Sequence, residues 1–70
     1  MGAVRVRRVP SGREEVVKFD GEKLKVGDLL ELMGLKRESV IVTRGGKIVP
    51  EEESVGDGEE LVIYDVVSGG

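Results

Sequence analysis

Helical periodicity occurs in one short segment of this chain, and strand-like segments lie on both sides of it. Val26, Leu29, Leu30 and Met33 follow the i, i+3, i+4, i+7 spacing of an amphipathic helix. A lone helix has to bury its apolar stripe against another layer of structure. The pattern therefore predicts one helix packed on one face of a sheet, with Met33 as part of the core.

Residues at both ends of the predicted helix support it, with one exception. Asp28 lies in the first turn, where a negative charge favours the helix dipole. Gly34 suits the left-handed conformation that ends many helices, and Leu35 would supply the accompanying hydrophobic contact. Gly27 is unfavourable in the first turn, because glycine is a poor helix former.

The segment before the helix predicts a hairpin. Residues 4–7 alternate apolar and polar side chains with a period of two, as in a half-buried strand. A turn at residues 10–13 leads into a second, valine-rich strand at residues 14–19.

The segment after the helix predicts three more strands. A β-branched run precedes Gly45-Gly46, which is a two-residue hairpin signal, and Pro50 stops the returning strand. An acidic connector and a glycine-rich turn at residues 56–58 precede the last strand, which we expect to be the longest. These strands are predicted at residues 39–44, 47–49 and 61–67.

The order strand, strand, helix, strand, strand, strand predicts an α+β domain. If the last strand returns beside the first, their pairing is parallel and the five-stranded sheet is mixed. This is the arrangement of the β-grasp, or ubiquitin-like, fold. Seventy residues leave no room for a second core, so we expect one domain over residues 1–67 and a flexible tail at residues 68–70.

The side-chain inventory argues against an enzyme. The chain has no histidine and no cysteine, which excludes imidazole bases, thiol nucleophiles and the usual zinc ligands. The acidic residues between positions 51 and 60 do not follow the spacing of a calcium loop, so no metal site is predicted. Apolar runs reach only three or four residues, so we expect no membrane span and a cytoplasmic protein.

Charge is segregated along the chain. Four arginines and no acid lie in residues 1–13, whereas six acids and no base lie in residues 51–60. A basic arm could indicate nucleic-acid binding, but Phe19 and Tyr64 are the only aromatic residues, and single-strand recognition needs aromatic platforms. We therefore expect no direct nucleic-acid partner. The acidic run either steers a basic partner or is a solvated loop.

The chain ends in Ser68-Gly69-Gly70. Glycines without Cβ atoms form a slender segment that can enter a narrow channel and present an unhindered carboxylate. A carboxylate becomes a good acyl donor only after its oxygen is converted into a leaving group, as adenylation with ATP would do. The alternative interpretation is an incidental terminal tail.

Three segments of the chain resemble the β-grasp sulfur carriers of thiamin and molybdopterin synthesis, called ThiS and MoaD, whose relatives include the archaeal ubiquitin-like modifiers. The sequence VIVTRGGKIVP at residues 40–50 is similar to the central hairpin of the family. VGDGEELVI at residues 55–63 is similar to the turn into the last strand, and VVSGG at residues 66–70 to the reactive tail. Glu59 and Ser68 depart from the residues that many relatives carry, which leaves the subfamily open.

The resemblance implies a carrier rather than a catalyst. An E1-like adenylating enzyme would use ATP to activate Gly70, and a sulfurtransferase would convert it to a thiocarboxylate. Sulfur would then pass to a synthase making a thiazole or a pterin, or to a tRNA-thiolation enzyme. Gly69 and Ser68 would provide clearance, and the chain itself would bind no cofactor. The alternatives are a modifier joined through Gly70 to lysines of target proteins, and a non-covalent β-grasp binding module.

The sheet face not covered by the helix is the predicted docking surface. With Leu61, Ile63, Val40 and Val42 pointing inward, the residues between them point outward. An apolar patch with a tyrosine and flanking arginines is typical of an interface. Scattered outward valines with a tyrosine stacked under an arginine are the ordinary alternative. The predicted partner-binding residues are Arg5, Arg7, Ile41, Thr43, Val62, Tyr64, Val66 and Val67.

Overall fold

The computed structural model describes residues 1–66. Its single α-helix, α1, spans Val26–Leu32 and buries Val26, Leu29 and Leu30. The helix ends as predicted. Gly34 has a φ of 72°, its N–H donates to Glu31 O at 3.0 Å, and the Leu35 N–H donates to Leu30 O at 2.8 Å. This bonding pattern is a Schellman motif, and the Leu35 side chain packs against the core.

The acidic connector supplies hydrogen-bond acceptors to the start of the helix. The N–H groups of Val26 and Gly27 donate to the carbonyl oxygens of Glu53 and Glu51, at 2.8 Å and 2.9 Å. A Cβ atom on Gly27 would lie 3.4 Å from Glu51 O. The connector thus satisfies two of the N–H groups that every helix leaves free at its start.

The fold contains seven strands besides the helix within the described residues. They are β1 (Gly2–Val9), β2 (Glu14–Phe19), β3 (Lys23–Lys25), β4 (Val40–Arg44), β5 (Lys47–Ile48), β6 (Ser54–Gly56) and β7 (Glu60–Asp65). Five of them form one sheet in the order β2-β1-β7-β4-β5. The β1 and β7 strands are parallel, and the other pairs in this sheet are antiparallel. The mixed five-stranded sheet with one helix is a β-grasp fold, which confirms the prediction.

Four of the five predicted strands have different bounds in the structure, and the first of them spans Gly2–Val9 rather than residues 4–7. The last strand ends at Asp65 rather than at residue 67, and β1, with eight residues, is the longest strand. A 3-10 helix at Arg37–Ser39 precedes β4, which begins at Val40. The fifth strand has two residues instead of three, although the Val49 N–H still donates to Val42 O at 2.9 Å.

A small second sheet, formed by β3 and β6, was not predicted. Leu24 lies opposite Val55 in this antiparallel pair, and Val55 is fully buried. The pair packs its apolar residues against the main core. The hairpin between β4 and β5 turns at Gly45 and Gly46, whose φ angles of 60° and 82° are those that a type I′ turn requires.

The core lies between α1 and one face of the main sheet, which we call the inner face; the opposite face is the outer face. Inner-face residues confirm the predicted alternation, because Val4, Val6, Leu61 and Ile63 are each at most 1% exposed. Within residues 1–66, no helix reaches the length and apolarity needed to cross a membrane.

Candidate functional site: the outer sheet face

Strand register shows which predicted docking residues are neighbours. Ile41 lies opposite Tyr64 in the β4 and β7 pair, and Val9 lies beside Tyr64 in the parallel β1 and β7 pair. Ile41 is 40% exposed, Tyr64 43% and Val66 47%. These four residues, Val9, Ile41, Tyr64 and Val66, form what we call the exit patch, because it adjoins the point where the chain leaves the sheet.

The arginines lie at the other end of the outer face. Arg7 is beside Val62, and Arg5 is beside Glu60. Both arginines are exposed, and neither forms an ion pair with another residue of the described range 1–66. The direct neighbour of Tyr64 in the parallel register is Val9 rather than an arginine.

Thr43 shares the outer face but offers little surface. It lies opposite Val62 on one side and Ile48 on the other, and it is 7% exposed. Its hydroxyl group donates to Val62 O at 3.1 Å. The neighbouring strands therefore cover most of this side chain.

Sequence reasoning missed three outer-face residues. Val16 lies opposite Arg5 and is 61% exposed, and Ile48 is 72% exposed. Val9 continues the outward series of Arg5 and Arg7, but the adjacent Arg7-Arg8 pair obscures the period. Continuing the two-residue alternation of the first predicted strand by two residues would have found Val9. The faces of Val16 and Ile48 follow from their pairing with Arg5 and Thr43.

The end of the described chain lies at the exit patch. The Val66 N–H donates to Ser39 O at 2.9 Å, which adds one hydrogen bond beyond β7. Four residues to which we assigned roles lie outside the described range: Val67, Ser68, Gly69 and Gly70. The docking and acyl-transfer roles of these residues stay predictions.

Much of the acidic run is engaged within the fold. Arg44 contacts Glu53 at 2.6 Å and Glu59 at 3.1 Å, and it also donates to Ser54 O at 3.1 Å. The hydrogen bond to Glu53 is the main cause of the raised pKa of Arg44. Glu59 in turn accepts the Gly56 N–H at 2.6 Å. This network ties β4 to the turn before β7.

Two further acids of the run have partners. Glu51 is hydrogen bonded to Arg37 and raises the pKa of that arginine. Asp57 accepts the Ala3 N–H at 2.8 Å, and the Gly58 N–H donates to Ala3 O at 2.8 Å. These contacts hold the glycine-rich turn against β1. The acidic run therefore has a structural role within the fold. Across the described range 1–66, no three acidic side chains are grouped so as to hold a metal ion.

The fold is shared with archaeal proteins of known structure. SAMP1 from Haloferax volcanii is 26% identical, with 99% of this chain and 100% of that chain covered and a TM-score of 0.71. A second structure, H. volcanii small archaeal modifier protein 1, is 22% identical, with 96% and 100% covered and a TM-score of 0.71. A ubiquitin from Caldiarchaeum subterraneum is 18% identical, with 99% and 98% covered and a TM-score of 0.72.

A family model extends the similarity through the terminal glycines. The model of the ThiS family matches residues 5–70, a range that contains the outer face, the exit patch and Gly69-Gly70. The match therefore includes the strands that form the outer face and the segment that follows them. On this match, the chain belongs to the ThiS family.

Proposed function

We propose that this chain is a sulfur-carrier protein and that its reactive group is the carboxylate of Gly70. The observation that carries the proposal is the ThiS family match, which continues through residue 70. The arrangement of β7 supports it, because this strand ends at Asp65, beside an exposed apolar patch and four positions before Gly69. The chain is then the substrate of a partner enzyme, and the partner supplies the catalysis.

The proposed chemistry has two steps. A carboxylate oxygen of Gly70 attacks the α-phosphate of ATP on an E1-like enzyme, so that pyrophosphate leaves and an acyl-adenylate forms. A sulfur nucleophile supplied by a sulfurtransferase then attacks the acyl carbon, and AMP leaves. With hydrosulfide as this nucleophile, the second step forms the carbon–sulfur bond of the thiocarboxylate directly, and one proton is released. The small glycines allow the acyl carbon to be approached closely.

The outer face is the proposed docking surface for the E1-like enzyme. The exit patch supplies exposed apolar area, and Arg5 and Arg7 supply positive charge at the opposite end of the outer face. Apolar anchors with a tyrosine and an arginine-containing rim are common at protein interfaces. Docking here would bring the enzyme to the start of the C-terminal segment. Because activation consumes ATP, we place the reaction in the cytoplasm.

Intact-mass spectrometry tests the carrier role. The full chain is incubated with ATP, a sulfide source and extract of its own cells, beside a chain that lacks Gly70. We expect the full chain alone to gain the mass of one oxygen-to-sulfur exchange. An unchanged mass in both chains would contradict the proposal. Repeating the reaction with a thiazole precursor, a pterin precursor or tRNA identifies the acceptor.

The second candidate is a protein modifier. It is favoured by the structural similarity to a small archaeal modifier protein and to a ubiquitin. In this case a lysine amine attacks the same activated acyl carbon and an isopeptide bond forms. The same incubation, followed by peptide mass spectrometry, would then show Gly70 linked to lysines of other proteins. A chain whose binding partners are retained after removal of Gly69 and Gly70 would instead be a binding module.

A further inference from the structure

A row of three charged side chains crosses the inner face where β7 ends. Arg8 on β1 lies between Glu15 on β2 and Asp65 on β7. Its Nη2 atom lies 2.6 Å from Asp65 Oδ1, and its Nη1 atom lies 3.6 Å from Glu15 Oε2. The Arg8 side chain is 20% exposed and that of Asp65 is 30% exposed. The row thus links the last residue of β7 to the two neighbouring strands.

The contacts of Arg8 show which partner determines its position. The hydrogen bond to Asp65 is the main cause of its raised pKa, and the charges of Asp65 and Glu15 add to it against the effect of burial. Its Nε atom is buried and has no hydrogen-bond partner within residues 1–66. Leaving a buried donor unpaired is unfavourable. The terminal nitrogens, and above all the short contact to Asp65, therefore hold the guanidinium in place.

The chain is held from both sides just before the C-terminal segment. On the β4 side, the Val66 N–H donates to Ser39 O. On the β1 side, Arg8 holds the side chain of Asp65. Only four residues follow Val66, and four extended residues span at most about 14 Å. The position and direction of the chain at Val66 therefore decide where the Gly70 carboxylate can lie.

We propose that Arg8 is a positioning residue for the reaction at Gly70, acting through Asp65 on the point where the chain leaves the sheet. This inference rests on the proposed function. Arg8 and Asp65 lie on the inner face, whereas the docking surface is the outer face. Loss of the ion pair should therefore leave Val9, Ile41 and Tyr64 of the exit patch in place for docking and slow the chemical step, because reaction rates depend steeply on geometry.

Four variants test the inference. Arg8→Gln and Asp65→Asn each remove the ion pair, and the double exchange Arg8→Asp with Asp65→Arg, made together with Glu15→Gln so that no two carboxylates adjoin, restores it in reverse. Arg44→Gln is the matched control, because it also removes a partly exposed arginine with two carboxylate partners but lies at the far end of β4. If Arg8→Gln and Arg44→Gln have comparable unfolding midpoints, any difference between them in the measurements below comes from the position of the arginine in the fold and not from a difference in stability.

The first measurement needs no partner. Nitrogen-15 relaxation of the full chain reports the backbone order of Val66. We expect this order to fall in Arg8→Gln and Asp65→Asn, to stay at the wild-type level in Arg44→Gln, and to recover in the double exchange. Wild-type order at Val66 in both single variants would overturn the inference.

The second measurement is ATP–pyrophosphate exchange by the E1-like enzyme from the same cells. We expect Arg8→Gln and Asp65→Asn to lower kcat about tenfold while KM stays near the wild-type value, and the double exchange to recover kcat. An unchanged kcat, or a change in KM alone, would overturn the inference and leave the proposed function standing. Absence of exchange with the wild-type chain would overturn the proposed function itself.

Discussion

Ile41 lies directly opposite Tyr64 on the outer face, and both side chains keep about two fifths of their surface exposed. Val9 flanks Tyr64 on the other side, so the tyrosine lies between two aliphatic residues. Large exposed apolar side chains grouped in this way commonly mark an interaction site. Their place beside the last described residue, Val66, is the reason that we propose them as the first contact for an enzyme that works on the C-terminal segment.

Replacing Ile41 or Tyr64 with threonine should weaken docking without unfolding the chain. Threonine has the β-branched shape that strands favour but removes most of the exposed apolar area. We expect each variant to raise the KM for activation about tenfold, which corresponds to about 1.4 kcal/mol of binding free energy. ATP–pyrophosphate exchange at varied carrier concentration measures the change.

The control for these variants is Leu32→Ala. Leu32 is 61% exposed but belongs to the helix, and alanine is a good helix former. KM should stay at the wild-type value in this variant. An equal rise of KM in Leu32→Ala would mean that general apolar surface, rather than the outer face, determines docking.

The stabilising effect of the ion pair between Arg8 and Asp65 should not change between neutral and mildly alkaline pH. The hydrogen bond to Asp65 raises the pKa of Arg8 above the ordinary arginine value. The resulting stabilisation is complete below the pKa of the unfolded state, and it is lost only when the pH rises through the higher pKa of the folded state. The difference in unfolding free energy between wild type and Arg8→Gln should therefore stay constant from about pH 7 to about pH 10. Urea unfolding measures it, and a difference that shrinks in this range would contradict the prediction.

Gly2→Ala should destabilise the chain. Gly2 lies opposite Phe19 in the β1 and β2 pair, and a Cβ atom on Gly2 would lie 2.4 Å from Phe19 Cζ. Because Phe19 is buried, the ring has to shift within a packed core. Overpacking of this kind costs about 1–3 kcal/mol. Urea unfolding should show the loss, and adding Phe19→Leu should recover part of it; a stability equal to wild type would count against the close packing.

Gly27→Ala, in contrast to Gly2→Ala, should increase the stability of the chain. A Cβ atom here would meet only Glu51 O at 3.4 Å and Glu51 Cβ at 3.5 Å, which is ordinary contact. Alanine is favoured over glycine inside a helix by about 1 kcal/mol. We expect a gain of up to about that amount in the same urea experiment. A loss would mean that the connector cannot yield to the added methyl group.

Several local features were correctly predicted from the sequence. The helix end at Gly34 and Leu35, the turn at Gly45-Gly46 and the inward Val40 and Val42 all depend on residues close together in the chain. Backbone sterics and the two-residue period act over this short range. The same rules placed Ile41 and Tyr64 outward, as the structure has them.

Other features depend on residues far apart in the chain. The pairing of Leu24 with Val55 joins two three-residue strands, which are too short to show a period. The N–H of Gly27 at the helix start donates to the carbonyl of Glu51, which belongs to a connector far along the chain. No local rule connects such partners.

For the candidate site, the alternation of side chains told us which residues face outward, but not which of them are neighbours. The parallel register of β1 and β7 placed Val9 rather than an arginine beside Tyr64, and the flanking strands covered Thr43. Arg8 and Asp65, which are 57 positions apart, meet only when the two strands lie side by side. Local sterics and hydrophobic periodicity depend on residues that are close together in the sequence, so the sequence alone determines them. The pairing of distant charges and the covering of side chains arise only when the strands assemble into the sheet.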